Sequence, residues 1–418
     1  MLSAHFSLEK GSHDDMIISA DLHLHSPYTK RLDAPNSLQN FAINAKLKGI
    51  QLLGTGDCLH PRWMQQIQQL TEVDSGTYQY RDTRFVLTAE IETKDHIHHL
   101  VLFPDATATT EFRERIKPYA PNISKHGRPK IELMSADTAE HAVEVGGLIG
   151  PAHLFDTFSG AYSKYDSVQD CYQHMTSSIH FIELGLASNT YLADKINELH
   201  KFTFLSNSDT HNPHPIRLGR EFTQFKVKKP TFNELAFAIK RQNGNKPVLN
   251  VGIPPEEGKY FDTACKKCHM RYSFCQASDQ QWKCSCGGRI KQGVTDVIDK
   301  KSSYQPSQHP IHRPQYASFL PLHEIITRIY HEQNPFTNRV TAEWHKLISI
   351  FGNEINTLLS TPIEDLSKIG PAALAEAIHS FRNATVHFHP GGGGNYGSVT
   401  IPWEEPQLKI GLSSKKET

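Results

Sequence analysis

Histidines and carboxylates recur at the ends of short apolar runs between Met16 and Val251, a pattern able to hold divalent cations. The first run closes on Asp21-Leu22-His23-Leu24-His25-Ser26. Side chains of an extended chain repeat every two residues, so His23 and His25 share a side and form a metal-ligand pair. Asp57 follows the second run in Gly54-Thr55-Gly56-Asp57, Glu90 ends the third in Thr88-Ala89-Glu90, and His98-His99 opens the fourth. His153 ends the fifth in Gly150-Pro151-Ala152-His153, Glu183 lies in the sixth, and Ser208-Asp209-Thr210-His211 ends the seventh. One such histidine alone is more often core or surface than ligand. Their joint placement is poorly explained by packing, because barrel interiors are normally filled with Val, Ile and Leu. Metal ions about 3.5–4 Å apart lower the pKa of a bridging water towards 7 and neutralise the attacking and leaving oxygens of an in-line displacement. Phosphoester hydrolysis of that kind needs no Ser or Cys nucleophile.

A second constellation is made of thiols. Cys265-x2-Cys268 and Cys284-x-Cys286-Gly287-Gly288 have the two-knuckle spacing of a structural zinc ribbon, in which four thiolates let a short block fold without a sizeable core. Cys275 and His269 lie among them and leave open which four side chains bind. Lys266, Lys267, Arg271, Lys283, Arg289 and Lys291 are interleaved with Tyr260, Phe261, Tyr272, Phe274 and Trp282. Cations beside stacking faces suit a nucleic-acid strand, and a solvated structural module has the same composition about as often.

Both constellations need a scaffold. Apolar runs at Met16 to Leu24, Ile50 to Leu53, Phe85 to Ile91, Leu100 to Phe103, Leu148 to Pro151, Phe181 to Leu184 and Phe202 to Leu205 alternate with amphipathic stretches. The helical patterns cover 37–48, capped by Asn36 or Ser37 and stopped by Gly49, and also 137–145, 191–200 and 233–241. Strand and helix in this order predict an α/β barrel with its ligands at the carboxyl ends of the strands. Gly252 to Gly258 reads as a linker, and a polar joint at 302–314 precedes helical patterns over 322–332, 342–359 and 372–382. The expected organisation is an extension over 1–15, a metallo-phosphoesterase domain over 16–252, a zinc module over 253–301 and a helical DNA-binding domain over 302–418. Leu366 to Ile378 is similar to the turn and second helix of helix-hairpin-helix modules, with Gly370 at the turn, although an ordinary Gly-Pro helix start fits as well. Gly391 to Gly394 allows a close approach to a backbone or a phosphate, or serves as a plain turn.

The chain has 418 residues, 44 Lys+Arg and 44 Asp+Glu, so it exceeds one compact core and is not basic throughout. No run approaches the roughly 20 apolar residues of a membrane span, and Glu9, Asp14 and Asp15 stand where a signal peptide is apolar. A soluble, cytoplasmic protein is expected, in which clustered cysteines suggest metal more than disulfides.

Asp21 to Ser26 resembles the opening motif of the PHP (polymerase and histidinol phosphatase) family, and Asp209-Thr210-His211 resembles its closing motif. The resemblance implies a distorted seven-stranded (β/α)7 barrel holding two or three divalent ions, Zn, Mn or Mg. It makes His23, His25, Asp57, Glu90, His99, His153, Asp209 and His211 the ligands, with Glu90 bridging and Asp209, Glu90 and His153 catalytic. Where many PHP proteins read Thr-Asp-His, this chain reads Thr55-Gly56-Asp57, so Asp57 is expected to replace an imidazole. Of His98 and His99, the resemblance favours His99, next to the apolar run; Glu183 is either outer support or structural.

A PHP barrel, a zinc module of Cys265, Cys268, Cys284 and Cys286, and a helical tail with Gly-Gly-Gly-Gly-Asn-Tyr-Gly together resemble the endonuclease Q family of DNA-repair nucleases. The resemblance implies nicking 5′ of uracil, hypoxanthine, xanthine and abasic sites, DNA as partner, and a replication clamp as a candidate partner. Lys266, Lys267, Arg271, Lys283, Arg289, Lys291 and Gly370 are the candidate DNA contacts. A small-molecule phosphatase would leave everything past the linker without a purpose, and a non-catalytic zinc nucleic-acid-binding protein would not need the near-complete ligand set.

Overall fold

The computed structural model describes residues 15–29 and 37–401. The expected extension up to residue 14, Asn36 as a helix cap and the tail 402–418 lie outside the described residues. Among the described residues no helix is long and apolar enough to cross a membrane.

The barrel strands are Met16–Asp21, Leu52–Gly54, Thr83–Thr93, His98–Phe103, Leu148–Pro151, Phe181–Glu183 and Thr203–Leu205. Met16–Asp21 is parallel to Leu52–Gly54, which is parallel to Thr83–Thr93. His98–Phe103 runs antiparallel between Thr83–Thr93 and Leu148–Pro151, and Phe181–Glu183 is parallel to Thr203–Leu205. Isolated links continue the ring: Leu154 N–H donates to Glu183 O, and a parallel bridge joins Leu24 to Thr210. The distortion has a cause. Phe222–Val227 occupies the other edge of Met16–Asp21 and carries Lys246–Gly252 beside it, so the last barrel strand meets the first only beyond its end.

Alternation sorts the strand residues between two cores. Val86, Leu100, Leu102, Ile18, Ala20 and Leu205 pack inside with Phe232, Leu235 and Ile239 of the helix Phe232–Lys240. Phe85, Leu87, Val101 and Phe103 face the outer helices, where Phe41 and Phe112 meet them. Burying each large side chain contributes roughly 1.5–3 kcal/mol. The first outer helix, Leu38–Lys48, begins where Ser37 accepts the Asn40 N–H and ends at Gly49, whose φ of 97° favours glycine. Its buried Leu38, Phe41, Ala42 and Ala45 follow the helical repeat.

Two helix expectations change. The helix expected over 191–200 is a short helix Thr190–Ala193 followed by a 3₁₀ turn Asn197–Lys201, because the buried Asp194 carboxylate between them is taken by Arg313 at 3.0 Å and His309 at 2.7 Å. The helix expected over 342–359 is two, Asn338–Phe351 and Glu354–Leu359, broken at Gly352 (φ 88°) and restarted by the Asn353 cap. The segment after 302 runs against the barrel: Arg313 reaches Asp194, and Gln315–Ser318 pairs in parallel with Lys246–Gly252. The helices that follow, from Leu322–Ile329 to Ala372–Arg382, pack back on the barrel through Lys48, whose ammonium is 2.7 Å from Glu354 Oε1 and 2.7 Å from Pro215 O.

Candidate metal centre and adjoining cavity

The strand ends bring two groups of donors together. His23, His25 and Asp209 form one, Glu90, His98 and His153 the other, each with ligand atoms within 4.8 Å of one another. Glu90 faces both. Its Oε2 is 3.2 Å from His25 Nε2 and 3.7 Å from His23 Nε2, while its Oε1 is 2.8 Å from His98 Nδ1 and 3.0 Å from His153 Nε2. Asp209 Oδ1 completes the first group, 3.5 Å from His23 Nε2 and 3.2 Å from His25 Nε2. The His211 ring lies tilted against His25, with ring centroids 4.3 Å apart.

Outer side chains set the direction of these rings. Glu183 lies 3.0 Å from His23 Nδ1 and accepts the His153 N–H and the Asn207 amide, so it supports from behind. Asp57 does the same for His25, 3.1 Å from Nδ1, while Ser26, Thr29 and the Ser26 N–H donate to its other oxygen. The structure therefore places Asp57 outside the two groups rather than in the position of a missing imidazole. A carboxylate behind a histidine fixes the tautomer and raises the basicity of the metal-facing nitrogen.

His98 and His99 exchange the places expected of them. In the antiparallel register His98 lies opposite Glu92 and His99 opposite Ile91, so His98 shares the inward face with Glu90 and Glu92. His99 points outward, where Tyr172 Oη lies 2.6 Å from its Nδ1 and Ser135 Oγ 3.1 Å from its Nε2. Burial lowers the His99 pKa to about 4, which suits a neutral ring in a hydrogen-bonded core.

The charge balance is that of a cation site. Burial opposes charge on His23, yet Glu183 and Asp209 overcome it and hold its pKa well above the ordinary value; Asp57 does so for His25. Burial likewise opposes charge on His153, but Glu90 raises it to about 9. Burial raises Asp209, and His23 and His25 more than reverse this. Nε2 of His23 and of His25 are buried without a hydrogen bond. Buried nitrogens facing carboxylates and lacking a proton partner fit divalent ions. Asp57, His153 and Asp209 all adopt left-handed φ values (47°, 31° and 47°), uncommon for non-glycine residues and costly unless the surroundings impose them. Gly185 is needed beside them: a Cβ there would lie 2.5 Å from the His153 Cβ.

A cavity of about 420 Å³ opens on this cluster. His98, His153, Asp209 and Arg128 form its floor, Phe158 comes from the barrel, Tyr260 and Phe261 from the block after the linker, and Tyr396 from the glycine tract. Lys291 sits over the Phe158 ring at 4.6 Å and Lys259 over Tyr396 at 4.3 Å. The glycine tract is pinned rather than loose: Gly391 N–H donates to Glu256 O, Gly394 N–H to Lys259 O and Gly397 N–H to Glu257 O.

The thiol block folds around its cysteines. Cys265 and Cys286 Sγ are 3.6 Å apart, Cys268 and Cys284 3.5 Å, and all four lie within 4.8 Å. A tetrahedron with Zn–S bonds of about 2.3 Å has edges of about 3.8 Å, so this set fits a zinc ion. The Tyr272 hydroxyl donates to Cys284 Sγ and lowers its pKa to about 6, favouring the thiolate. Cys275 is exposed, and neither it nor His269 belongs to the set. Lys266, Lys267, Arg271, Lys283 and Arg289 are exposed around it; Lys267 donates to Cys286 O and Arg271 to Pro390 O, while Lys291 is half-buried at the cavity. Gly370 joins helix Ile363–Ile369 to helix Ala372–Arg382, away from the cavity lining.

The MJ0043 C-terminal domain family model matches residues 321–385. The uncharacterized protein YqxK of Bacillus subtilis is 30% identical over 404 residues, 91% of this chain and 99% of that protein. The uncharacterized protein MJ0043 of Methanocaldococcus jannaschii is 41% identical over 255 residues, 60% of this chain; the match spans 31% of that protein's length. The crystal structure of the lesion-specific endonuclease PfuEndoQ from Pyrococcus furiosus is 40% identical, with a TM-score of 0.89 over 96% of this chain and 100% of that one. The chain belongs to the endonuclease Q family. A second endonuclease Q structure, in complex with a 27-mer duplex carrying an abasic lesion at the active site, is 41% identical with a TM-score of 0.87, covering 95% of this chain and 99% of that one.

Within this endonuclease Q fold, sequence reasoning overlooked Arg128, whose Nη1 donates to Glu90 Oε2 at 3.0 Å. It lies in a loop, His126-Gly127-Arg128-Pro129, with no apolar run to mark it. Phe158 is likewise unmarked in the sequence, since an aromatic in a loop has no periodicity to expose it, and Tyr396 is marked there only by the glycine tract beside it.

Proposed function

We propose that this chain nicks DNA on the 5′ side of deaminated bases and abasic sites, with the lesion nucleotide turned out of the helix into the cavity beside Glu90 and Asp209. Membership of the endonuclease Q family makes it a nuclease acting on DNA phosphodiester bonds. The observation that carries the finer reading is the cavity itself. It adjoins both donor groups, its volume of about 420 Å³ suits one nucleotide, and its walls are aromatic. Extrusion costs least for damaged or mispaired bases, and ring faces such as Tyr260 and Tyr396 supply the stacking that an extruded base loses.

His23, His25 and Asp209 would hold one divalent ion and Glu90, His98 and His153 a second, with Glu90 shared and His211 beside the first. Such ions, when bound, supply a water of lowered pKa and offset charge on the phosphate. The residues of the chain do the rest. Glu183 and Asp57 keep the Nδ1 side of His23 and His25 engaged so that Nε2 faces inward. The rings of Phe158, Tyr260, Phe261 and Tyr396 would stack on the extruded base, and Lys259, with Lys291 over the Phe158 ring, would balance backbone charge on the strand. Cys265, Cys268, Cys284 and Cys286 would hold a structural zinc that keeps Tyr260 and Phe261 at the wall.

The test is nicking of end-labelled duplexes carrying one uracil, one hypoxanthine, one xanthine, one abasic site or no lesion, with Mg²⁺, Mn²⁺ or Zn²⁺ added to metal-stripped protein. A cut 5′ of the lesion, absent from the undamaged duplex and abolished by Asp209→Ala while DNA binding persists, is the expected result. Equal cutting of damaged and undamaged duplexes overturns it.

A further inference from the structure

Arg128 is a cation of the cavity that belongs to neither donor group. Its guanidinium touches Glu90 through Nη1 alone, at 3.0 Å, and among the described residues its other N–H groups make no hydrogen bond. The side chain is 28% exposed and lines the cavity floor between His98, His153 and Asp209. The other lysine or arginine in that lining, Lys259, lies over the Tyr396 ring. Arg128 therefore stands in the cavity floor, beside both donor groups, with guanidinium donors to spare.

The backbone is built to hold it there. Gly127 N–H donates to Tyr28 O, and Glu92 N–H donates to Pro129 O, so the residues on both sides are tied to the barrel. The His126 Nδ1 lies 2.7 Å from Arg128 O. Gly127 docks directly on the carboxylate behind His25: a Cβ would come within 2.1 Å of Asp57 Oδ2 and 2.2 Å of Thr29 Oγ1. A side chain at 127 would have to displace Asp57 or Thr29, so only glycine lets the loop seat this close. A merely structural partner for Glu90 would need neither the exposure nor the free donors.

We propose that Arg128 is a catalytic residue that keeps Nη1 on Glu90 and donates its remaining N–H groups to a non-bridging oxygen of the scissile phosphate. This rests on the phosphodiesterase reading of the centre, not on lesion recognition. In the step, the oxygen of water forms a bond to phosphorus, one ester P–O bond breaks, and the water's protons are shared out between the leaving alkoxide and solvent. Arg128 stays protonated and offsets the charge that accumulates on the equatorial oxygens, the use for which a planar fork of donors is suited.

The experiment uses full-length, metal-loaded protein with two substrates: bis(p-nitrophenyl) phosphate, which tests the centre without any lesion, and a uracil duplex. Arg128→Ala is expected to slow both by about 10²–10³ without changing the metal content read by atomic emission. Low-millimolar guanidinium restores part of the lost rate, and Arg128→Lys restores little because an ammonium lacks the fork. Rates within threefold of wild type overturn the proposal. So does a loss that comes with depleted metal and no guanidinium rescue, which makes Arg128 only an anchor for Glu90. Wild-type protein that hydrolyses the small diester but cuts no lesion duplex overturns the lesion reading and leaves the Arg128 result standing.

Discussion

Replacing Lys48 by Met tests how the carboxy-terminal helices are bound to the barrel. Lys48 ends the first outer helix and is 2% exposed; its ammonium meets Glu354 Oε1 and Pro215 O, both at 2.7 Å. Glu354 also accepts the Trp344 indole N–H at 2.7 Å and the Leu322 N–H at 3.1 Å. Two unit charges at that distance attract by about 6 kcal/mol at an effective dielectric constant of about 20. Desolvating both ions costs several kcal/mol each, so the pair as a whole stabilises little. Removing one member is different, because Glu354 is left charged and buried; the expected loss is about 3–5 kcal/mol. The double variant Lys48→Met, Glu354→Gln removes the stranded charge and should recover at least half of it. The assay is guanidinium unfolding of the full chain, followed by Trp fluorescence and by circular dichroism. Burial raises the Glu354 pKa, but Lys48 and its hydrogen bonds bring it below the ordinary glutamate value. In wild type the pair's contribution is present above about pH 4.3, the unfolded value, and fades as pH falls through the folded one. In Lys48→Met, acid protonates Glu354 and relieves the penalty, so the gap to wild type narrows below about pH 5. A loss under about 1 kcal/mol at pH 7, or a gap that widens on acidification, refutes the reasoning.

Three further outcomes follow from the metal centre and the thiol block. His98→Ala should lower the bound divalent metal and abolish nicking, whereas His99→Ala should keep its metal and lose roughly 2–5 kcal/mol of stability by stranding Tyr172 and Ser135; atomic emission and thermal melting separate the two, and metal loss in His99→Ala alone sinks the assignment. Because His23, His25 and His153 have raised pKa values, the last about 9, metal-free protein at pH 7 carries protons that cations must displace, so metal affinity should rise with pH through that range. Calorimetric titration in two buffers of different ionisation enthalpy should show proton release, and heats independent of buffer would count against it. Cys268→Ser should release zinc and open the 259–301 block to proteolysis while the barrel stays intact, since that block's own core is little more than Cys265, Ala277, Cys284 and Ile290; unchanged zinc content would refute a four-cysteine site.

Some of this protein was legible along the chain because the relevant distances are short in sequence. Two residues separate Cys265 from Cys268 and one separates His23 from His25, so local backbone geometry alone brings each pair together. Alternating runs and helical stretches likewise announce an α/β barrel, and strand ends are where a barrel gathers side chains. Where a neighbour from far along the chain chooses the outcome, the sequence is silent. Whether His98 or His99 turns inward is settled by its register against Glu90 and Glu92, since a shift of one residue exchanges the two faces. Asp57 follows its strand as expected, yet only the packing of Ser26, Thr29 and His25 around it sets it behind the imidazole. The helix expected over 191–200 gave way because Arg313, more than a hundred residues on, captures Asp194. Arg128 and the cavity exist only once Gly127 docks on Asp57 and the glycine tract closes over the linker. Local spacing determined which ligands could pair, and long-range register and packing decided which of them face a common centre.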